Sequence, residues 1–564
     1  MYLLNTEEVP ADGGQVVEVL DNSELINFNP VIASNSEAEA KITNLLFHPL
    51  YTIEYPNFIQ DNSQPKITPI LLKKEPKWLE SEDPNNKFKT LQFELKDNLK
   101  WSNDKPITME DIAYSFERVR EGRGNQQFKT AFKEVSFNIT SPTSFTLTSS
   151  ISNPQLLYSA NFSPISKTYF DSQITDRLIT DERSFKPLVT SGYYTFTDDE
   201  VINPNSNNSQ KVANPVRDSQ NNTITSVILT KNPIQNHSIE PKIEKYIFNR
   251  VDSLFTTNTI SNSLEKEAKE GDVDLYSRFL GTNLTTPPKI VSEKISLNQK
   301  IIPTNTYYNL YLNMQVGNYF INQSLRKYVI CSFLNYQPSP AYQGMLTSIP
   351  KNKRIIPIQL DTEFEPDCPA EDNILDKDVY QITTDEQSQT KKVLLRGSEI
   401  KLSLLGIPES EPLLTDIQQF FLSIGLPTDV IKDPEGIENA LRDKSYLVAF
   451  LPISYVSQDP YPIFGANGEN LSNIRANNRV SQDIEDNLLK YSLSELQDKE
   501  AQAKIIQFFQ SEYVAINLFQ ANYEYNYSNR VRSLGQNLPL LYTFPIDTYS
   551  NINIWFTESK REFK

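Results

Sequence analysis

The sequence predicts a mixed α/β protein with more than one domain, and three observations carry that prediction. At 564 residues the chain exceeds what a single hydrophobic core organises. Strand-like alternation and helix-like periodicity take turns along it. The stretch from Leu91 to Arg120 shows both in full. Leu91, Phe93 and Leu95 alternate with polar residues, as in a strand with one buried face. After the polar turn Lys96-Asp97-Asn98 and Trp101, Thr108 is placed as an N-cap, with Asp111 three residues on in a capping-box relation. Ile107 and Ile112 are spaced as a hydrophobic staple. Met109, Ile112, Phe116 and Val119 make one apolar stripe at helical spacing.

The remaining elements follow in order. Gln15 to Asp21 has strand character, and Glu37 to Phe47 has helical periodicity leading into His48 to Tyr51. Phe145 to Leu147 reads as part of a hairpin, and the Asn/Ser/Gln-rich segment 201–224 as a surface insertion. Strands are expected from Ile224 towards Pro233 and from Pro241 to Val251. A helix is then expected to end at Glu270 to Asp274, with Gly271 as its C-cap. Tyr307 to Gln315 reads as a strand and Gln323 to Asn335 as a helix, while 361–396 is acidic and turn-rich without periodicity. A strand at Ile400 to Ile407, a helix from Leu414 to Ile424 closed by Gly425, and a strand inside Ser445 to Phe464 come next. A long helix from an N-cap at Ser494 to Gln510 and a strand from Val514 to Phe519 end the series.

Composition narrows the function. A hydrophobic content of 38% with 11% aromatics suits packed cores rather than disorder. A net charge of −17, from 71 acidic and 54 basic residues, lacks the basic footprint that nucleic acid demands. Spread over a surface, such acidity serves solubility. No run approaches the ~18 apolar residues of a membrane helix. The amino-terminal stretch has no basic segment followed by an apolar one, and Tyr2 to Gly14 reads as a short extended tether. Cys331 lies in an apolar helical run, where a small buried thiol is the expectation; pairing with Cys368 is the other reading. The two histidines, His48 and His237, are far apart, and His48 beside Pro49 suits packing or capping better than metal binding. There is no GxSxG, HExxH, CxxC or phosphate-cradling glycine loop, and glycines number 16 in all. Binding without catalysis, cofactor or metal is the expectation.

Weak motifs recur in a fixed order from about residue 25 to 530. They include Asn29-Pro30, Leu45 to Tyr51, Pro69 and Trp78, and then Trp101 with Ser102-Asn103-Asp104, Pro106 and Thr108 to Phe116. Asn161 to Phe170, Gly192 with Tyr194, Asn232-Pro233, Glu270 to Asp274, Arg326, Gly344 to Pro350 and Asp459-Pro460 continue the order. This series resembles the family 5 solute-binding proteins, the oligopeptide- and dipeptide-binding components of ABC importers. The resemblance implies a two-lobe α/β periplasmic-binding-protein-like fold of the large class, with mixed sheets. Lobe one would comprise 15–47, 171–290 and 511–564, with a subdomain inserted at 48–170, and lobe two 291–510, after a tether at 1–14. It implies a monomer at the extracytoplasmic face of the membrane, in the periplasm or at the cell surface, with its anchor outside this chain. Hinge closure over a peptide or other small solute, and delivery to ABC permease subunits, would be its work.

Candidate ligand contacts follow. Tyr307, Asn309, Tyr311 and Asn313 share one strand face, with Tyr308, Leu310, Leu312 and Met314 on the other. A Tyr/Asn face can pair with peptide backbone; its other reading is an ordinary solvent face. Ser454, Tyr455 and Asp459 stand where the family contributes cleft residues. Tyr193 and Tyr194 are expected to pack, or to belong to the hinge or cleft edge. In peptide-binding members a carboxylate four residues before the Asp-Pro proline often pairs with the ligand ammonium, and a tryptophan lies three further back. Here those positions hold Val456 and Ile453, so ligand termini are not expected to be gripped in that way. A long peptide held through its backbone and a non-peptide solute both remain open. So does a non-catalytic adhesion or scaffold role on the same fold, with a hydrolase as the weaker rival.

Overall fold

The computed structural model describes residues 6–20, 25, 27–32, 37–55, 65–81, 87–121, 131–132, 134–172, 174–196, 201–202, 211–218, 223–236, 240–250, 255–256, 259–260, 273–280, 297–337, 349, 354–355, 360, 368–369, 374–384, 390–406, 411–454, 459–465, 481–533 and 552–563. Among them eleven strands form one mixed central sheet. In chain order these are β1 (Gln15–Leu20), β2 (Tyr194–Thr195), β3 (Val216–Arg217), β4 (Ile224–Lys231), β5 (Lys245–Arg250), β6 (Leu275–Leu280), β7 (Leu297–Leu312), β8 (Leu402–Gly406), β9 (Thr428–Ile431), β10 (Val448–Ser454) and β11 (Ala515–Ser528). The spatial order is β3-β4-β5-β1-β6-β11-β7-β10-β8-β9, with β2 paired to β4. β1 runs parallel to β5 and β6, and β8 parallel to β9 and β10. β11 and β7 are antiparallel to each other and to their outer neighbours. The helices used below are α1 (Glu37–Leu46), α2 (Met109–Arg120), α3 (Leu156–Ser159), α4 (Gln323–Asn335), α5 (Glu411–Ser423), α6 (Ser481–Leu493) and α7 (Lys499–Glu512). Among the described residues no helix is long and apolar enough to cross a membrane.

Two hydrophobic cores divide this sheet. One is built from residues between Tyr307 and Ala521, the other from Val16 to Ile302 and from Tyr523 to Trp555. Each core closes on itself, so the molecule has two lobes, and the chain passes between them along β7 and back along β11. Segment 48–170 carries its own four-stranded sheet (Lys77–Trp78, Thr90–Glu94, Val135–Ser141, Ser144–Ser149) with α2. Its apolar side chains run into the core of lobe one without a break. α2 forms as its sequence dictates. Thr108 and Asp111 make a full capping box, and Met109, Ile112, Phe116 and Val119 are all buried.

Several elements differ from the sequence reading. β7 has 16 residues and β11 has 14, both far longer than the apolar stretches that mark them. Polar residues such as Gln299, Glu524 and Asn526 break the apolar pattern, yet they hydrogen-bond to one another inside the structure: Gln299 Nε2 and Asn526 Nδ2 both donate to Glu524 Oε1, at 2.7 and 2.9 Å. The helix expected from Ser494 to Gln510 is α7, which begins only at Lys499, after α6 has ended at Leu493. Asp498, not Ser494, is the N-cap of α7, its Oδ1 accepting from the Ala501 amide at 2.9 Å. Ser494 lies in the intervening turn and donates to the Tyr491 carbonyl. Cys331 is not a solitary buried thiol: it forms a disulfide with Cys368, which the fold brings to 5.4 Å between Cα atoms. Within the turn-rich 361–396 segment, Tyr380–Thr384 and Lys391–Leu395 pair as a hairpin. Part of the amino-terminal stretch, Thr6–Ala11, pairs antiparallel with Glu558–Phe563. His237, Glu270 to Asp272 and most of Gly344 to Pro350 lie outside the described residues.

Candidate functional site

The seam between the lobes starts at a register slip. Leu297 to Pro303 pair with Asn522 to Ser528 on the lobe-one side, and Tyr307 to Tyr311 pair with Ala515 to Gln520 on the other. Between Pro303 and Tyr307 the ladder is broken, and a bulge of this kind bends a strand pair. Side chains hold the bend: Thr304 Oγ1 donates to the Ala521 carbonyl (2.9 Å), and Gln520 Nε2 donates to the Thr304 carbonyl (2.7 Å) and to the Tyr307 hydroxyl (3.1 Å). Next to it Thr306 and Ser454 share a hydroxyl–hydroxyl hydrogen bond of 2.7 Å. Ser454 is exposed at the end of β10, and Tyr455 and Val456, which continue from it, lie outside the described residues.

Asp459 bridges the lobes. Although 4% exposed, it accepts hydrogen bonds from the Tyr461 amide (Oδ1, 2.9 Å) and from the Ser492 hydroxyl, both in lobe two. Its third donor is Gln155 Nε2, 2.8 Å from Oδ2, just before α3 in the lobe-one subdomain. Burial pushes the Asp459 carboxyl up to about 6, opposed by the hydrogen bonds from Ser492, the Tyr461 backbone and Gln155. A second cross-lobe contact lies alongside, an ion pair of Lys87 with Glu495, both side chains half-exposed or more. Tyr55 packs against both cores. Tyr158 on α3 feels the charges of both Asp459 and Glu495, with burial the larger reason its phenol is raised.

The Tyr/Asn face sits elsewhere. β7 is flanked by β11 and β10, and Tyr307, Asn309, Tyr311 and Asn313 are each at most 1% exposed. An open solvent face is therefore excluded, because all four side chains are buried by the chain packed over that face. The opposite face is equally packed, with the Tyr308 ring stacked between Phe450 and Phe519. Asn313 is committed to backbone: its Nδ2 donates to the Lys444 and Tyr446 carbonyls, and its Oδ1 accepts from the Gln315 amide. Asn309 Nδ2 donates to the Tyr307 carbonyl (3.1 Å), while its Oδ1 is buried without a hydrogen-bond partner. Tyr193 and Tyr194 pack in the lobe-one core; Tyr194 donates to the Ile243 carbonyl, and Tyr193 meets the His48 ring edge-on at 4.5 Å. The packing expectation for His48 thus has its partner. Gln155, Tyr158, Ser492 and Thr306 carried no motif, and the contacts that make them notable span between 33 and 304 residues of sequence. Among the described residues no group of three or more His, Cys, Asp or Glu could hold a metal ion.

Other motif residues turn out to be clamps. Asp111 Oδ2 accepts from the Thr108 amide and from Trp101 Nε1, while Oδ1 accepts from the Lys167 amide. Arg326, 1% exposed, ties α4 to the end of α7: Nε donates to the Glu512 carbonyl and Nη2 meets its carboxylate at 2.5 Å. Burial lowers the Arg326 guanidinium to about 10, with Glu512 opposing, so it stays charged at neutral pH.

These clamps occupy motif positions from Trp101 to Arg326, and a family model for bacterial extracellular solute-binding proteins, family 5 (middle region), matches residues 73–327. Over that stretch the chain is similar to the family 5 solute-binding proteins. Solved structures agree on the fold across nearly the whole length. The periplasmic EDTA-binding protein EppA superposes with a TM-score of 0.65 at 15% identity, covering 98% of both chains. The oligopeptide-binding protein AppA from Bacillus subtilis, in complex with a nonapeptide, gives 0.63 at 14% identity over 98% of this chain and 100% of the other. NikZ from Campylobacter jejuni, in complex with Ni(L-His), gives 0.62 at 13% identity over 97% and 100%. No curated protein matches the sequence. The fold of this protein is thus the two-lobe periplasmic-binding type. The matched family and the structural neighbours are binding proteins, which supports a solute-binding role.

Proposed function

We propose that this protein captures a peptide or peptide-like solute between its lobes and hands it to an ABC permease at the extracytoplasmic face of the membrane. The observation that carries the reading is the seam itself. Two adjacent strands, bent at Thr304, are the described passage between two separately cored lobes, and Gln155 meets Asp459 across it. Such a crossing supports hinge closure, with lobe one (15–47, 171–290, 511–564), its subdomain (48–170) and lobe two (291–510) moving as bodies. Ser454, Tyr455 and Asp459 then line the lobe-two side of the cleft. Gln155 and Tyr158 face them, and the buried Tyr307–Asn313 segment supports the lobe-two side from behind. Tyr193 and Tyr194 brace lobe one. The protein acts as a monomer.

The Cys331–Cys368 disulfide supports an oxidising, extracytoplasmic setting, because cytosolic thiols are kept reduced. Support for peptides is the shared fold with a nonapeptide-bound protein, and extended ligands in such clefts can be held as an added strand. Native mass spectrometry of the purified protein tests this reading. A carried peptide mass, lost on denaturation, is the expected result. A carried metal chelate or other non-peptide mass would replace the peptide assignment, and a thermal shift absent with every peptide pool would count against binding altogether.

A further inference from the structure

We propose that the contact of Gln155 with Asp459 is a proton-sensitive latch that favours the closed arrangement of the lobes as pH falls. The proposal rests on the hinge-closure reading above and adds a regulator to it. Geometry comes first. Asp459 belongs to lobe two, and two of its donors, Ser492 and the Tyr461 amide, belong to the same lobe and stay with it when the lobes part. Gln155 belongs to lobe one and leaves. Opening therefore removes one donor and exposes the carboxylate to water, whereas closing strips that water away and leaves the carboxylate 4% exposed. Burying a charged carboxylate is costly even with three donors, whereas a neutral acid is buried at little cost.

The sign follows from linkage. In the closed arrangement burial holds Asp459 at about 6 against an ordinary 3.8. The closed form thus binds the proton more tightly than an open form with a solvated carboxylate, and protonation draws the equilibrium toward closure. The gain is absent at pH 7.5, grows as pH falls through about 6, and is complete below about 4. Between pH 7.5 and 5 it amounts to about a tenfold rise in the closed-to-open ratio.

The neighbours do not supply a competing switch in this range. Tyr491 on α6 has its phenol pushed up to about 12, by burial first and by Asp459 second. Tyr158 on α3 is raised for the same two reasons with Glu495 added, so both phenols stay neutral. Glu495 and Lys87 pair with each other at half exposure or more, where an ion pair contributes little and is screened. Asp459 is the buried acid of the seam among the described residues. Its position is where the sequence suggested a ligand contact, and the latch reading needs no ligand to operate.

The Lys87–Glu495 pair offers a reporter, since a zero-length carbodiimide links an amine to a carboxylate only where the two touch. Its yield in the full-length, unliganded protein is read by mass spectrometry against the Lys504–Glu500 pair, which lies within α7 and does not depend on closure. The expected result is a Lys87–Glu495 to Lys504–Glu500 ratio that rises as pH is lowered from 7.5 to 5, by up to tenfold. Asp459→Asn, a neutral isostere, should give a high ratio at both pH values. Gln155→Met, on the lobe-one side, removes the cross-lobe donor and leaves the Asp459 carboxyl itself in place; it should lower the ratio and guards against misfolding of the first variant. A ratio that forms but stays flat with pH, or an Asp459→Asn profile identical to wild type, overturns the latch while leaving hinge closure standing. If the Lys87–Glu495 link forms at no pH while the Lys504–Glu500 link does, the closure reading fails and the latch with it.

Discussion

Asp274, just before β6, grips Arg530 through both carboxylate oxygens, Nε–Oδ1 at 2.9 Å and Nη2–Oδ2 at 2.6 Å. The same carboxylate accepts from the Val17 amide at 3.0 Å and from the Ser528 hydroxyl at 2.9 Å. One side chain, 1% exposed, therefore ties together β1, β6 and the end of β11. The two partners are not equivalent, because Arg530 is half-exposed while Asp274 and the Val17 amide are not. Asp274→Ala is expected to cost about 2–4 kcal/mol, since it leaves buried donors without acceptors. Arg530→Ala is expected to cost about 1 kcal/mol or less. Urea unfolding of the two variants checks the ranking, and equal losses would contradict it.

Asp111 makes a sharper case, because it uses both oxygens only as acceptors. Thr108 and Trp101 donate to one oxygen and the Lys167 amide to the other. Asn in its place must turn an NH₂ group toward one of these donors. Asp111→Asn is therefore expected to lose about 1–3 kcal/mol despite its matching shape. The readouts are the unfolding midpoint and the near-ultraviolet signal of buried Trp101. An Asn variant as stable as wild type would show that the donors do not depend on this carboxylate.

What was legible in the sequence follows the range of the interactions. The Thr108–Asp111 box, the α2 stripe and the limits of α4 are local, and their spacing states them directly. Asp498 caps α7 just as locally, but Ser494, four residues earlier, offers the same N-cap chemistry. Arg326 stood out as a motif residue, but its partner Glu512 is 186 residues away. The Gln155–Asp459 contact spans 304 residues and involves a glutamine that no pattern marks. The Tyr/Asn alternation of β7 suggested a strand face available to solvent or ligand. Only the packing of sequence-distant segments into the lobe-two core shows that this face is covered.

The disulfide gives a prediction confined to lobe two. Cys331 on α4 and Cys368 are 37 residues apart, and closing a loop of that size restricts the unfolded chain by about 4 kcal/mol in the chain-entropy treatment. Reduction, or the paired change Cys331→Ala with Cys368→Ala, should lower the unfolding midpoint of the lobe that holds them. Lobe one has a separate core and should keep its midpoint. Differential scanning calorimetry with and without reductant reads this directly. A shift shared equally by both transitions, or no shift, would mean that the bond does not constrain lobe two in this manner.

The bend at Thr304 yields the last expectation. Gln520 spans the register slip with two hydrogen bonds from one Nε2, to the Thr304 carbonyl and the Tyr307 hydroxyl. It belongs to β11, the returning strand, so it couples the two strands where the ladder between them is broken. Removing it takes away neither core packing nor a regular ladder bond, and Gln520→Ala should cost only about 1 kcal/mol of global stability. Its local effect should be larger. Amide exchange at Thr304, Asn305 and Thr306 should quicken severalfold while the strand segments on both sides keep their protection. If exchange instead quickens evenly along β7 and β11, the bend is no weaker than its flanks, and the lobes would have to pivot somewhere other than at this bulge.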